Sequence, residues 1–372
     1  MASAIILLLV IQSFFSLCPP LAENYPSFPV QQDANHSEID DSLKIAVFVE
    51  KYVSEKLFSG TILVAKAGKS VFYQSYGLAD IHKKIVIKNE YHYSIASITK
   101  LFTSIRVLQL VEENKLELTM TLKDCLSDLA IPGSSDITVH HLLLHISGLP
   151  NEKNESYKKT MDPEEMVSIA MANESGARFG SFHYNNIDYI LLGLIIERVT
   201  GNSWKEEIQT HILDKLEMND SGFLEHNRYP ENFAGTFSYK KSDKPKKDPR
   251  FYIENFYAAG AMYSTASDLL KLDQALYENI LLNEEMYKLL SQSYSEYNYV
   301  GYGVWNYHYP FVPSQPLVME RRGGIMGANT VLVRLPDTQH AIIILSNNDQ
   351  FNPDSFGDGE NLREALMRIV AR

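Results

Sequence analysis

The sequence is poor in cysteine and in long apolar runs, and basic residues are its minority charge. Its 372 residues include only two cysteines, Cys18 and Cys125. Cys18 falls in a leader expected to be removed, and a lone Cys125 forms no internal disulfide, so stability must come from packing. The apolar run at residues 4–17 is short for a membrane span; Cys18, Pro19, Pro20, Leu21 and Ala22 follow it before the first charge at Glu23. No Lys or Arg precedes it, so the amino terminus alone supplies positive charge there. We read residues 1–22 as a signal peptide and 23–40, with Pro26, Pro29 and Asn35, as a flexible leader. The mature chain is then expected outside the cytoplasm, secreted or periplasmic, with no stable membrane span after cleavage. Lys and Arg number 34 against 46 acidic residues, a net charge of -12. That argues against a nucleic-acid surface and against general attraction to anionic lipid, leaving small molecules or peptides, peptidoglycan-derived ones included, as expected partners.

Several catalytic signatures are also missing. There is no His-Glu-x-x-His, no phosphate-cradling P-loop and no Gly-x-Ser-x-Gly elbow, which removes zincins, common NTPases and typical α/β-hydrolases. His140, His141 and His145 are close enough in sequence to suggest zinc, but no acidic partners lie nearby and packing is the preferred reading. No metal and no cofactor is expected. Asn-x-Ser sequons begin at Asn35, Asn154, Asn173 and Asn219; they matter only in a glycosylating pathway.

What is present is an ordinary globular composition, 45% hydrophobic and 22% charged, enough for a substantial core. Apolar spacing predicts a helix over 42–56, a β-hairpin from 60–65 and 70–76, and a long helix over 97–114. A mainly helical stretch follows to about 257, including a strongly apolar helix over 189–199 and a basic run at 240–250 read as a solvated loop. A short helix after Ser267, strands at 299–305, 317–322, 329–335 and 340–345, and a helix over 361–370 close the chain. One domain is expected over 41–372. Its sheet comes from both chain ends, about 41–100 and 258–372, around a helical insertion at about 101–257.

Ser97, Ile98, Thr99 and Lys100 open the long helix, where residues three apart share a face about 5–6 Å apart. Lys100 can take the proton of Ser97 if a buried or cation-rich site keeps it neutral, and the free N–H of Ser97 at the helix start can bind an oxyanion. The spacing recurs at Ser156/Lys159 and Ser238/Lys241, but in polar stretches with no buried helix behind them. Tyr184-Asn185-Asn186 offers a phenol and an amide on a loop; Tyr277-Glu278-Asn279 repeats the spacing inside a helix, and His183 is a rival base beside Tyr184. Arg321-Arg322-Gly323-Gly324 ends a strand. The two arginines point to opposite faces, so one can face a cleft as a carboxylate anchor, and the Gly324 N–H can complete an oxyanion hole.

In order and spacing these three motifs resemble the serine β-lactamase and penicillin-binding protein superfamily, in particular its class C-like branch of β-lactamases, D-aminopeptidases, D-alanyl-D-alanine carboxypeptidases and esterases. The resemblance runs from about Ser59 to the end of the chain, through Tyr76-Gly77-Leu78-Ala79-Asp80, the run from Thr138 to Pro150, and the run from Gly260 to Leu269. It implies an α+β fold, an antiparallel sheet flanked by helices with a helical inserted subdomain. It also implies a serine hydrolase in which Ser97 attacks an ester, amide or lactam carbonyl, Lys100 and Tyr184 move protons, and Asn186, Arg321, Gly323 and Gly324 bind substrate. The third motif departs from the family, where Lys or His, then Thr or Ser, then Gly is usual, and this sets the chain apart from ordinary β-lactam recognition. The alternative carried beside the hydrolase is a non-hydrolytic sensor, cell-wall binding module or inactive scaffold on the same fold.

Overall fold

The computed structural model describes residues 41–172, 176–239, 244–249 and 251–372. The expected signal peptide and leader, and the sequons at Asn35 and Asn173, lie outside the described residues, as do 240–243 and Arg250 of the basic run.

Helix α1 (Asp41–Lys56) buries Ile45, Val49 and Tyr52 along one face and leads into the hairpin of β1 (Gly60–Lys66) and β2 (Lys69–Tyr76). At the far end of the chain come β3 (Trp305–His308), β4 (Leu317–Ile325), β5 (Ala328–Leu335) and β6 (His340–Ser346). These strands form one antiparallel sheet in the order β3-β4-β5-β6-β1-β2, with β1 running against β6 from Gly60 opposite Ser346 to Ala65 opposite Ala341. Both faces of the sheet are covered. Ile62, Val64, Val331, Val333, Ile342 and Ile344 pack on one face with α1 and the closing helix at Leu362–Val370. Leu63, Ala65, Met319, Leu332, Ile343 and Leu345 face the larger core on the other side. The period-2 alternation of β1 therefore carries apolar residues to two cores, which is why Gly60-Thr61-Ile62-Leu63-Val64-Ala65 reads as an unbroken apolar run.

In the larger core lie two helices, Thr99–Glu112, buried from Thr99 to Leu110, and Asn186–Thr200, buried from Asn186 to Ile196. They bring residues 100 and 186 together. The second begins three residues before the expected Tyr189, because the Asn185 side chain accepts the N–H of Ile187 and caps it; Gly201, at φ 79, ends it. The strand expected at 299–305 instead begins at Trp305, since residues 301–303 hold two glycines, Gly303 at φ 77, and turn the chain before pairing starts. The short helix Val139–Leu143 holds His140 and His141 but stops before His145, which sits in a left-handed turn at φ 58. Inside the 240–250 run, Lys246–Lys247 pairs with Phe237–Ser238, so it is a short hairpin arm rather than only a loop. The Met262–Ser264 strand bridges Tyr93–Ser94 and Gly222–Phe223 in a small second sheet.

Candidate active site

The turn that presents Ser97 is built by a strained residue and a glycine. Ala96 has φ 47, a left-handed conformation for a non-glycine residue, and opens a single 3-10 turn, Ala96–Ile98, before the helix at Thr99. Ser97 is the one residue between Tyr93 and Leu110 that is not buried. Gly323 lies directly against it. A Cβ at that position would stand 2.4 Å from the carbonyl oxygen of Ile95 and 3.1 Å from the backbone nitrogen of Ser97, so only glycine lets β4 approach this closely. Thr330 on the neighbouring strand donates to Ile95 O at 3.2 Å and fixes the same turn. Gly324 follows, exposed, opposite Asn329.

Lys100 is fully buried below Ser97. Its Nζ lies 3.3 Å from Ser97 Oγ, 2.7 Å from Asn186 Oδ1 and 2.8 Å from the carbonyl oxygen of Ala259. Burial holds its pKa well below the usual lysine value, and the nearby Arg321 guanidinium pushes the same way. A neutral amine has two N–H groups and one lone pair, which matches two carbonyl acceptors and one hydroxyl.

Tyr184 donates to Ser97 Oγ at 2.7 Å, and Arg321 Nη2 donates to the Tyr184 oxygen at 2.8 Å. Burial raises the phenol above its ordinary pKa while Arg321 works in the opposite direction. Arg321 is only 1% exposed; its Nε donates to Ser97 O at 2.8 Å, and its guanidinium carbon lies 4.9 Å from the Trp305 ring centre. Arg322 points to the opposite sheet face as expected, where Glu320, Asp354 and Arg363 surround it. Arg321 thus sits beneath the serine and tyrosine rather than out in a cleft, and Asn186 uses its amide oxygen on Lys100 and its amide nitrogen on Glu152, at 2.8 Å.

Four participants escaped the sequence. Glu152 sits in a loop without periodicity, and the Ala259 carbonyl belongs to the end of an irregular 3-10 segment, Ile253–Ala259; Trp305 lies at a misplaced strand end. His145 is buried with its ring centre 4.6 Å from that of Tyr184, accepts the Asn185 N–H on Nδ1 at 3.2 Å, and faces Asp188 at 3.3 Å. Burial drives the pKa of His145 well down and that of Asp188 well up. The only sequence signal was the short run His145-Ile146-Ser147-Gly148, whose Ser147 hydroxyl donates to Asp188 at 2.5 Å. His140 instead contacts the Tyr302 hydroxyl at 2.6 Å and His141 caps Thr138, so the three histidines face different partners. Among the described residues no three His, Cys, Asp or Glu side chains are grouped to hold a metal, and no helix is long and apolar enough to cross a membrane.

Residues 45–367 match the family described as Beta-lactamase. The chain belongs to the Beta-lactamase family. Its fold is the β-lactamase/transpeptidase-like fold, and it is a serine hydrolase of the β-lactamase and penicillin-binding protein superfamily. Penicillin-binding protein 4* of Bacillus subtilis (strain 168) is 26% identical over 317 residues, covering 79% of this chain and 69% of that protein. Teichoic acid D-alanine hydrolase of Staphylococcus aureus (strain MRSA252) is 26% identical over 279 residues, 75% of this chain and 68% of that protein. Among solved structures, the octameric penicillin-binding protein homologue from Pyrococcus abyssi superposes with a TM-score of 0.77 at 26% identity, over 89% of this chain and 78% of that one.

Proposed function

We propose that this member of the Beta-lactamase family is an exported hydrolase that cleaves an ester or amide of a D-amino acid through an acyl-enzyme on Ser97. The observation that carries the reading is one unbroken chain of hydrogen bonds, Arg321 to Tyr184 to Ser97, ending on Lys100, whose pKa burial holds well below the usual lysine value. With its two hydrogens on Asn186 and Ala259, Lys100 turns its lone pair to the Ser97 hydroxyl and takes that proton as Oγ attacks the carbonyl carbon. The carbonyl oxygen becomes an oxyanion facing the N–H groups of Ser97 and Gly324. Tyr184 relays the proton to the leaving oxygen or nitrogen as that bond breaks. A water then repeats the sequence on the acyl-enzyme and frees Ser97.

Arg321 in this reading keeps the Tyr184 oxygen in place and ready to carry negative charge, and Asn186 aims Lys100. The D-amino-acid class is supported by the teichoic acid D-alanine hydrolase relative, and export by the leader read in the sequence at residues 1–22.

Intact-protein mass spectrometry after exposure to an activated ester, a penicillin and a phosphonate tests the nucleophile. An adduct on the wild type that is absent from Ser97→Ala is expected; no adduct, or the same adduct on the variant, refutes it. Continued product release beyond one equivalent separates a hydrolase from a sensor that acylates once.

A further inference from the structure

Four exposed lysines gather on two neighbouring hairpins of a chain whose net charge is -12. The hairpin of Leu78–Asp80 and Ile85–Val86 turns through residues 81–84, so Lys83, Lys84, Ile85 and Val86 stand at its tip, with Ile85 41% and Val86 62% exposed. A second hairpin, Phe237–Ser238 with Lys246–Lys247, carries the other two lysines. Backbone bonds hold the hairpins side by side. The Gly235 N–H donates to Ala79 O at 3.0 Å, Asn347 Nδ2 donates to both Leu78 O and Gly235 O at 3.0 and 2.9 Å, and the Asp248 N–H donates to Thr236 O at 3.0 Å. Among the described residues none of the four ammonium groups forms an ion pair with a carboxylate; the neighbouring Lys88 does, with Glu90 at 3.9 Å. Asp80 lies among them, but its Oδ1 already accepts the N–H groups of His82 and Lys83 at 2.9 Å each. Those two bonds lower its pKa, and the charges of Lys247 and Lys83 add to the effect, so lysines from both hairpins converge on one point.

We propose that these two hairpins form a docking surface for an anionic lipid bilayer, an assignment that does not depend on the hydrolase reading. Unpaired lysines repel one another, and two large aliphatic side chains at a hairpin tip lose the burial they would have in a core. An anionic headgroup layer answers both: Ile85 and Val86 enter the acyl boundary while the lysine stems run along it and leave their ammonium groups among the phosphates. A soluble polyanion would satisfy the lysines and leave the aliphatic pair in water. The net negative charge of the whole chain opposes general attraction to such a layer, but salt screens charges beyond about 10 Å, so the local lysines decide the contact. The patch also has a fixed relation to the active site. Asp248, next to Lys247, is buried and accepts the Gly327 N–H at 2.7 Å, and Gly327 ends the turn that begins after Gly324, about 11 Å away at most along the chain. Docking therefore sets the Gly324 side of the cleft beside the headgroup layer.

The test is co-sedimentation of the exported enzyme, shown by intact mass to lack residues 1–22, with phosphatidylcholine vesicles made with and without phosphatidylglycerol. Wild type should partition onto the anionic vesicles at least about tenfold more than onto the neutral ones, and raising the salt to about 1 M should abolish the difference. Each lysine removed should weaken binding about fivefold, so Lys83→Gln with Lys84→Gln, and Lys246→Gln with Lys247→Gln, should each lose about 25-fold. Ile85→Ser with Val86→Ser should lose at least about tenfold while keeping the salt dependence. All six positions are exposed, and thermal melts like that of the wild type, with unchanged hydrolysis of a soluble activated ester, show that the variants fold. Equal partition of the wild type onto both vesicles, or lysine variants that bind as the wild type does, overturns the proposal. Long-chain polyphosphate is run as a competitor. If it binds as tightly as the vesicles and the serine variant binds it like the wild type, the patch serves a soluble polyanion and the assignment to lipid is refuted.

Discussion

Replacing Arg321 by methionine should move the acid limb of the pH–rate profile upward. Lys100 must be neutral to take the serine proton, so kcat/KM rises with pH through its free-enzyme ionisation. Two causes keep that ionisation low, burial first and the Arg321 cation second. The hydrogen-bond path from Lys100 through Ser97 and Tyr184 to Arg321 has steps of 3.3, 2.7 and 2.8 Å, so the two nitrogens are at most about 9 Å apart. At an effective dielectric of about 20, like charges at that distance repel by about 2 kcal/mol, equivalent to a little more than one pH unit. Arg321→Met removes the repulsion, Lys100 holds its proton more tightly, and the limb should rise by about one unit, with burial still keeping it below an ordinary lysine. Arg321→Lys keeps the charge and should leave the limb near its original place while lowering the rate through a poorer fork to Tyr184 and Ser97 O. The assay is kcat/KM for an activated ester across the pH range, with thermal melts at each pH. A limb that stays put or moves to lower pH in Arg321→Met would refute Lys100 as the titrating base.

Lys100→Met should abolish turnover yet raise the melting temperature. Because burial lowers the Lys100 pKa in the folded state while the unfolded chain keeps the ordinary value, the wild type is penalised most in acid and least near the usual lysine value of 10.5; the gain in the variant should fade in that direction. Asp188→Asn should be neutral or stabilising at pH 7, because burial raises that acid's pKa well above the ordinary aspartate range; its gain should vanish below that range, and a loss above about 2 kcal/mol at neutral pH would refute the expectation. Gly323→Ala drives a Cβ into backbone at 2.4 Å, and should cost about 1–3 kcal/mol in denaturant melts together with most of the acylation rate.

The parts of the fold legible in the sequence were those where local pattern and burial agree. β1, β2, β5 and β6 carry unbroken or alternating apolar runs into two cores, and their ends fall within two residues of expectation. Ser97, Lys100 and Tyr184 were visible as motifs because a proton path demands fixed residue types. Glu152 was not, since a carboxylate after Pro150 and Asn151 looks like any polar loop until the distant Asn186 and Tyr157 close over it. Arg321 was found but its surroundings were not: an arginine ending a strand suggests a cleft, and only the packing of Trp305 and Tyr184 reveals it as buried. The strand end at Trp305 was misread for the same reason, as its pairing with Glu320 is set by β4 and not by its own neighbours.

The position of β1 has a consequence for biosynthesis. Its inner edge pairs with β6, nearly three hundred residues later, so during synthesis an apolar strand buried on both faces leaves the ribosome long before its partner exists. Contacts of such sequence separation are slow to form, and an unpaired apolar edge is an invitation to aggregate. The central sheet cannot close until residues 340–346 have been made. Until then the hairpin of β1 and β2 carries an unpaired apolar edge that a chaperone would shield.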